Sequence, residues 1–504
     1  MKKLCILGPL LLIAIFAASR TVQLSGKVRG LKSRSMTLVL LLGDGHYSTP
    51  SFTILVGESM SFRQTIDIPF TTFALLKYDD TETRILLTPG RALAIDIDLK
   101  DGERQKVVFA GPAAPENKFI QDEELGQIPF FMKDDWQQNE YAGLSADSVK
   151  LLVFDSLDKH VQALDQKINR LTASLAIKNI LKSEFRYAGQ CYLNDLAMNY
   201  MRWKKNPAAP TIADWMIAWQ PVPDSGTLVS GFYANMMMRY RISYALNKAT
   251  RPAGKDKAAR EKAFEQLFRT SFDNVTKLVD KYGERYILAW LFSKSNFNKD
   301  VQDKILVDKV LDAANDGQHA TASMLLDTLK HYFPKSNYLP IAQREVTRME
   351  IAMAKNGANN AIVIHASVKP SAFKELTDQY KGKLIYVDIW GTWCGPCRIE
   401  MRYVAELKKR YQGKDIVFVY LDMDEDAKEE DWKRYIRYYG IEGEHYRLNK
   451  TQIEPFWHEI KANGGETHLY PTYVLFDKGG KMLRANAERP SSKEVLFRQL
   501  DEVL

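Results

Sequence analysis

Val387-Asp388-Ile389-Trp390-Gly391-Thr392-Trp393-Cys394-Gly395-Pro396-Cys397-Arg398-Ile399-Glu400 is the stretch on which the reading of this chain turns. It opens inside the apolar run Leu384 to Trp390, which predicts a buried strand, and the residues from about Cys394 to Tyr411 predict a helix. A Cys-x-x-Cys at a strand-to-helix junction receives unpaired backbone N–H groups and the positive end of the helix dipole at its first sulfur. That favours the thiolate of Cys394, and Cys397, one helical turn on, can attack a mixed disulfide formed there. Cys394 is the expected nucleophile and Cys397 the resolving thiol, together a redox disulfide. A structural staple is a poor alternative, because so short a loop removes little chain entropy. A zinc site would need further ligands, and His445, His458 and His468, without metal-ligand spacing, are expected on the surface or in loops. Neither a metal nor a cofactor is expected.

Outward from this segment, the strand Ile416 to Leu421 completes a βαβ unit. Helices are expected near Glu429 to Tyr439 and Ile453 to Ile460, then a hairpin of Thr472 to Phe476 and Lys481 to Ala485 around the turn Asp477-Lys478-Gly479-Gly480, and a last helix from about Ser492 to Leu504. Lys355-Asn356-Gly357-Ala358-Asn359-Asn360 marks a boundary before them.

With those elements in place, Val387 to Glu400 resembles the active-site segment of the TlpA/ResA-like branch of the thioredoxin family. Tyr470-Pro471-Thr472-Tyr473-Val474-Leu475-Phe476-Asp477 is similar to that family's loop with a cis-proline before its next strand. The resemblance covers about the last 145 residues. It implies an α/β thioredoxin fold over 361–504 and a protein disulfide oxidoreductase, with disulfide-bonded proteins as substrates and an upstream thiol as electron donor. It also implies that Asp388 stands where thioredoxin keeps a buried acid, which can accept the proton of the resolving thiol. Glu400 matches the ResA-type active-site glutamate, and helical spacing puts it on the side of the second thiol; a solvated helix residue is the alternative. Trp393, Gly395, Pro396, Tyr470 and Pro471 are implied to meet substrate, Pro471 through a cis bond that exposes the Tyr470 backbone for strand-like pairing. The sequence departs from the pattern at Arg402, where relatives commonly carry proline. It also has no lysine on the strand Ile416 to Leu421, where thioredoxin partners its buried acid. Gly395-Pro396 between the cysteines resembles the reducing members, so a reductase or exchanger is expected, with an oxidase or isomerase as the rival.

The rest of the 504 residues calls for further domains. From 21 to 110, alternation in Ser61 to Ile68 and Leu93 to Asp98, with turns at Gly43-Asp44-Gly45, Pro89-Gly90 and Asp101-Gly102, predicts a small antiparallel β-sandwich. Gly111-Pro112-Ala113-Ala114-Pro115 reads as a linker. From 116 to 354, helical spacing such as Val149, Leu152, Val153, Leu157, Val161 and Leu164 predicts an all-α domain, in which Cys191 is a core residue and Trp203, Trp215 and Trp219 line core or groove. The chain is thus read as multidomain, and its first part could instead make it a partner-binding envelope protein.

Lys2 and Lys3, the apolar Leu4 to Ala18 and the small residues Ala17-Ala18-Ser19 read as a signal peptide over 1–19, so the protein is expected in the periplasm or cell envelope. Membrane contact is expected only if that signal stays uncleaved, and Cys5 lies too early in it for a lipid anchor. The charge of +8 is a small difference between 70 basic and 62 acidic residues, which gives no reason to expect nucleic acid.

Overall fold

A computed structural model describes residues 21–43, 50–79, 81–99, 106–132, 138–223, 225–229 and 231–504. The expected signal peptide with Cys5, and the turns at Gly43-Asp44-Gly45 and Asp101-Gly102 wholly or in part, lie outside the described residues. The chain forms two compact units, one of the described residues up to Asp308 with His331–Pro340, the other of Lys309–Lys330 and Ile341–Leu504.

The first unit begins with β1 (Thr21–Arg29), β2 (Ser35–Leu40), β3 (Ser51–Leu55), β4 (Ser61–Asp67), β5 (Thr72–Tyr78), β6 (Thr81–Leu87), β7 (Leu93–Asp98) and β8 (Lys106–Ala110). They make two four-stranded sheets, in the orders β4-β1-β7-β8 and β3-β2-β5-β6. The alternation is real: Phe62 and Ile66, and Leu93, Ile95 and Ile97, are buried while their neighbours face outward or the rim. The expectation of purely antiparallel pairing fails at one place, because β1 runs parallel to β7. Five strands intervene between the two, and a connection that long leaves either direction open, whereas a hairpin would fix antiparallel.

The expected linker is also revised. Its Ala114-Pro115 begins the helix Ala114–Asp122, whose first turn holds the proline, a position where the missing N–H costs nothing. Asn117 of that helix accepts from the Leu86 N–H at 2.7 Å and donates to the Leu86 carbonyl at 3.1 Å, closing the edge of β6. Leu41, Phe73 and Leu86 share one buried cluster with the helices that follow. In those helices Val149, Val153, Leu157, Val161 and Leu164 are buried as expected. Leu152 instead points outward, since a π-helical turn over Lys150–Phe154 shifts the phase of the stripe. Cys191 is a core residue whose thiol donates to the Tyr233 carbonyl at 3.4 Å, and burial pushes its pKa up. Trp203 is exposed.

The second unit is built on β9 (Ile362–Ile364), β10 (Leu384–Trp390), β11 (Ile416–Asp422), β12 (Gly443–Arg447), β13 (Thr472–Phe476) and β14 (Met482–Arg484), in the order β14-β13-β10-β11-β12-β9. β10 lies parallel to β11 and antiparallel to β13, and every one of its residues is buried. Ile385, Val387 and Ile389 enter a cluster with Phe373, Phe456 and Trp457 on one face. Leu384 and Tyr386 on the other meet Leu407 and Leu500, and Trp390 meets Cys394 and Cys397. By strand alternation Asp388 belongs to that second face, the one covered by the helix Gly395–Arg410. The helices Glu429–Tyr439, Glu454–Ala462 and Glu494–Asp501 stand where the sequence placed them, within a few residues. Among the described residues no helix is long and apolar enough to cross a membrane.

Two strands escaped the sequence reading. β9 is three residues long, and β12 reads Gly-Glu-His-Tyr-Arg, without an apolar run. His445 accordingly lies not on the surface but fully buried in β12, stacked on Tyr420 at 4.7 Å with its ring nitrogen 2.7 Å from the Ile441 carbonyl. Burial pulls its pKa down to about 3, so it is a neutral core group. His458 and His468 are exposed.

Candidate active site

β10 ends at Trp390, and the loop Gly391-Thr392-Trp393 delivers the chain into the helix Gly395–Arg410. Cys394 is the N-cap of that helix, its backbone extended at φ −82° and ψ 104°, and Pro396 sits in the first turn. The Cys397 N–H donates to the Cys394 sulfur at 3.2 Å, so the first thiol occupies the place a capping oxygen usually takes and a developing thiolate there meets the positive end of the helix. Cys394 and Cys397 are joined as a disulfide, with both residues buried. The loop before them is tied down by Asp424, whose carboxylate accepts from the Thr392 hydroxyl at 2.6 Å and from the Thr392 N–H at 3.4 Å.

Around the buried sulfurs the surface is apolar. Trp393, which precedes Cys394, is 58% exposed, and Leu469, which precedes Tyr470, is 51% exposed. Pro396 and Ile399 are exposed beside them, and Gly395 at the helix start adds no side chain. The Trp393 ring meets Tyr470 edge-on at 5.2 Å, which joins the loop before β13 to the redox loop. Tyr470–Pro471 is a cis peptide bond. Trp393 folds back over Gly391 so closely that a Cβ there would lie 2.6 Å from its indole nitrogen. Gly391→Ala is therefore expected to push the exposed indole aside at a cost within about 0.5 kcal/mol. An unchanged melting temperature together with a several-fold higher KM for a disulfide-bonded protein is the expected measurement.

Between β10 and the redox helix three ionisable groups act on one another. Asp388 is buried, and one of its carboxylate oxygens has no hydrogen-bond partner. Burial raises its pKa well above the usual carboxylate range, and the nearby Glu400 charge raises it further. The Lys408 ammonium and the Tyr473 hydroxyl act in the opposite sense. Glu400 is not the solvated helix residue of the alternative reading: it is buried, and its two oxygens accept from the Ser491 N–H and hydroxyl, each at 2.9 Å. Its carboxylate is thus fixed in place and acts on Asp388 as a negative charge.

Lys408 was missed by sequence reasoning. Its Nζ is buried, makes no hydrogen bond among the described residues, and lies over the rings of Tyr420 at 5.0 Å and Phe418 at 5.4 Å. Desolvation pulls its pKa down to about 7, while the Glu442 and Asp388 charges resist that fall. The acid therefore does have a cationic neighbour, supplied by the helix rather than by β11. The available signal was position: Lys408 follows Val404 by one turn on the stripe that runs through Cys397 and Glu400. Arg402 lies in the helix Gly395–Arg410.

Residues 382–482 match the family described as Thioredoxin-like. The chain is 33% identical over 126 residues to the thiol-disulfide oxidoreductase ResA of Bacillus thuringiensis (strain Al Hakam), over 25% of this chain and 65% of that protein. It is 32% identical over 129 residues to the ResA of Bacillus cereus (strain ATCC 10987 / NRS 248), over 26% of this chain and 68% of that protein. A putative thiol-disulfide oxidoreductase from Bacteroides vulgatus, known from a crystal structure, is 36% identical over 25% of this chain and 82% of that one, with a TM-score of 0.22. The chain spans about two thirds of the length of the curated relatives it matches, 65% and 68% of the two above.

Proposed function

The chain belongs, through its C-terminal domain, to the thioredoxin-like thiol-disulfide oxidoreductases, and from that footing we propose that it reduces or exchanges disulfides in proteins of the cell envelope. The observation that carries the proposal is the Cys394 sulfur at the N-cap of the redox helix, disulfide-bonded to Cys397 and accepting its N–H. In the reduced protein the Cys394 thiolate attacks one sulfur of a substrate disulfide, forming a mixed disulfide and releasing the first substrate thiolate. Cys397 gives its proton to the Asp388 carboxylate and attacks the Cys394 sulfur, which closes the enzyme disulfide and releases the second substrate thiolate. Two electrons pass to the substrate, and a small or protein thiol restores the dithiol. Glu400 tunes Asp388, while Trp393, Gly395, Pro396, Tyr470 and Pro471 form the face on which an extended substrate segment lies.

Export through residues 1–19, a periplasmic or envelope location, and the division into a β-sandwich at 21–110, a helical domain at 116–354 and the redox domain at 361–504 belong to the same proposal. The direction of exchange is tested by equilibrating the protein with glutathione buffers. A reduction potential near that of thioredoxin, about −270 mV, supports the reductase, and one near about −120 mV replaces it by an oxidase.

A further inference from the structure

The helical part of the first unit holds two adjoining clefts, both within residues 198–288, to which the redox chemistry gives no role. One, of about 770 Å³, is lined by five basic residues, Arg202, Lys205, Lys248, Arg251 and Arg260, against a single acid, Asp214. That acid is already matched: its carboxylate accepts from the Lys248 ammonium at 2.8 Å and from the Tyr244 hydroxyl. Arg202, Lys205, Arg251 and Arg260 are exposed, and their side chains make no ion pair or hydrogen bond among the described residues. A cleft lined by one sign of charge concentrates ions of the other sign, and an anion seated there relieves the mutual repulsion of the cations.

The second cleft, of about 500 Å³, shares Asn247, Thr250 and Arg260 with the first. Its walls are apolar: Leu246, Phe264, Phe272 and Val279 are partly buried, and Val275 and Leu288 are buried. They come from four helices, Phe232–Thr250, Lys257–Phe268, Phe272–Tyr282 and Glu284–Asn296. The Phe264 ring meets Phe268 at 4.5 Å and Phe272 edge-on at 5.4 Å, which fixes the shape of the wall. The charged residues Lys255, Lys257 and Glu284 of this lining are exposed. Both volumes fall in the range of small-molecule sites, about 300–1,000 Å³.

We propose that this pair of clefts binds a long-chain fatty acid, with its acyl chain in the apolar cleft and its carboxylate at Arg260, where the two clefts meet. The unpaired cations select an anion, and the apolar walls select one that carries a hydrocarbon chain. A peptide segment is the poorer occupant, because its backbone N–H and C=O groups would need partners that Phe264, Phe272, Val275, Val279 and Leu288 do not offer, whereas an acyl chain has none to satisfy. The site lies in the first unit and is independent of the exchange chemistry assigned to Cys394 and Cys397.

The test titrates the full chain by isothermal calorimetry with sodium dodecanoate below its micelle concentration. Separate arms use dodecan-1-ol, inorganic pyrophosphate, a peptide of glutamate and leucine, and phosphatidylglycerol vesicles. Dodecanoate should bind saturably at one molecule per chain, about tenfold or more tighter than the alcohol, which has the chain without the charge, and than pyrophosphate, which has the charge without the chain. Arg251→Gln combined with Arg260→Gln should weaken it about tenfold, and Thr276→Trp, which fills the apolar cleft from an exposed position, by a similar factor. All three positions are exposed, so the variants should keep the parent's cooperative melt. If one does not, the comparison of ligands on the parent decides alone. Failure of dodecanoate to saturate, equal affinity for the alcohol or pyrophosphate, or unchanged affinity in the folded variants overturns the proposal. Tighter binding of the peptide, or binding to vesicles alone, replaces the fatty acid by a protein segment or a membrane surface.

Discussion

Cys394→Ser is expected to abolish reduction of insulin by dithiothreitol, with a loss on the order of 10³-fold or more. The helix start that lowers a thiol's pKa into the neutral range cannot ionise a hydroxyl, so the variant has no nucleophile at the one position the fold prepares for it. Cys191 cannot substitute. It is the one free cysteine among the described residues, it is buried, and its thiol is held neutral by desolvation. The fold should be almost untouched, since Ser is a good N-cap and the sulfur it replaces already accepts the Cys397 N–H. Insulin turbidity measures the rate, and a cooperative thermal melt of the variant checks the fold.

Asp388→Asn separates two consequences of one buried acid. It is the proposed proton acceptor of the second exchange step, and its loss should slow turnover by about 10²-fold. The parent rate should climb with pH as the raised Asp388 carboxyl ionises, and the variant should lack that limb. Stability should move the other way. Below about pH 4, the ordinary range for Asp, the carboxyl is protonated in both folded and unfolded chains and its ionisation costs nothing. As pH rises above that, the unfolded chain ionises first while the folded one, whose pKa burial has raised, keeps its proton; folding then takes up a proton and stability falls. The penalty grows until the folded carboxyl itself ionises, then levels off. Asn carries no such penalty, so the variant should melt higher than the parent at neutral pH, with the gap closing toward pH 4. Equal rate profiles would remove Asp388 from proton transfer, and an equal gap at all pH values would show that packing rather than ionisation sets its stability effect.

What the sequence made legible follows local rules. β10 could be read because a central parallel strand buries both faces and so becomes a continuous apolar run. The redox helix could be read because its cap, proline and thiols fall in consecutive positions. β12 could not be read, since its three buried residues are His445, Tyr446 and Arg447 and their burial is arranged by partners distant in sequence. Arg447, for example, reaches Asp426 and Glu429 on neighbouring segments. The same holds within the site. Cys394 and Cys397 declare themselves by spacing, whereas the setting of Glu400 depends on Ser491 and that of Arg398 on Asp316. Lys408 looks like any helical lysine until β11 supplies the rings that cover it.

The most direct test is to mix reduced Cys397→Ala protein with a disulfide-bonded protein, quench with acid and map the products by mass spectrometry. Without its resolving thiol, the first attack should stop at a stable covalent adduct through Cys394, and Cys394→Ala should form none. Absence of an adduct with Cys397→Ala, or an adduct through Cys191, would contradict the assignment of the exchange chemistry to this pair.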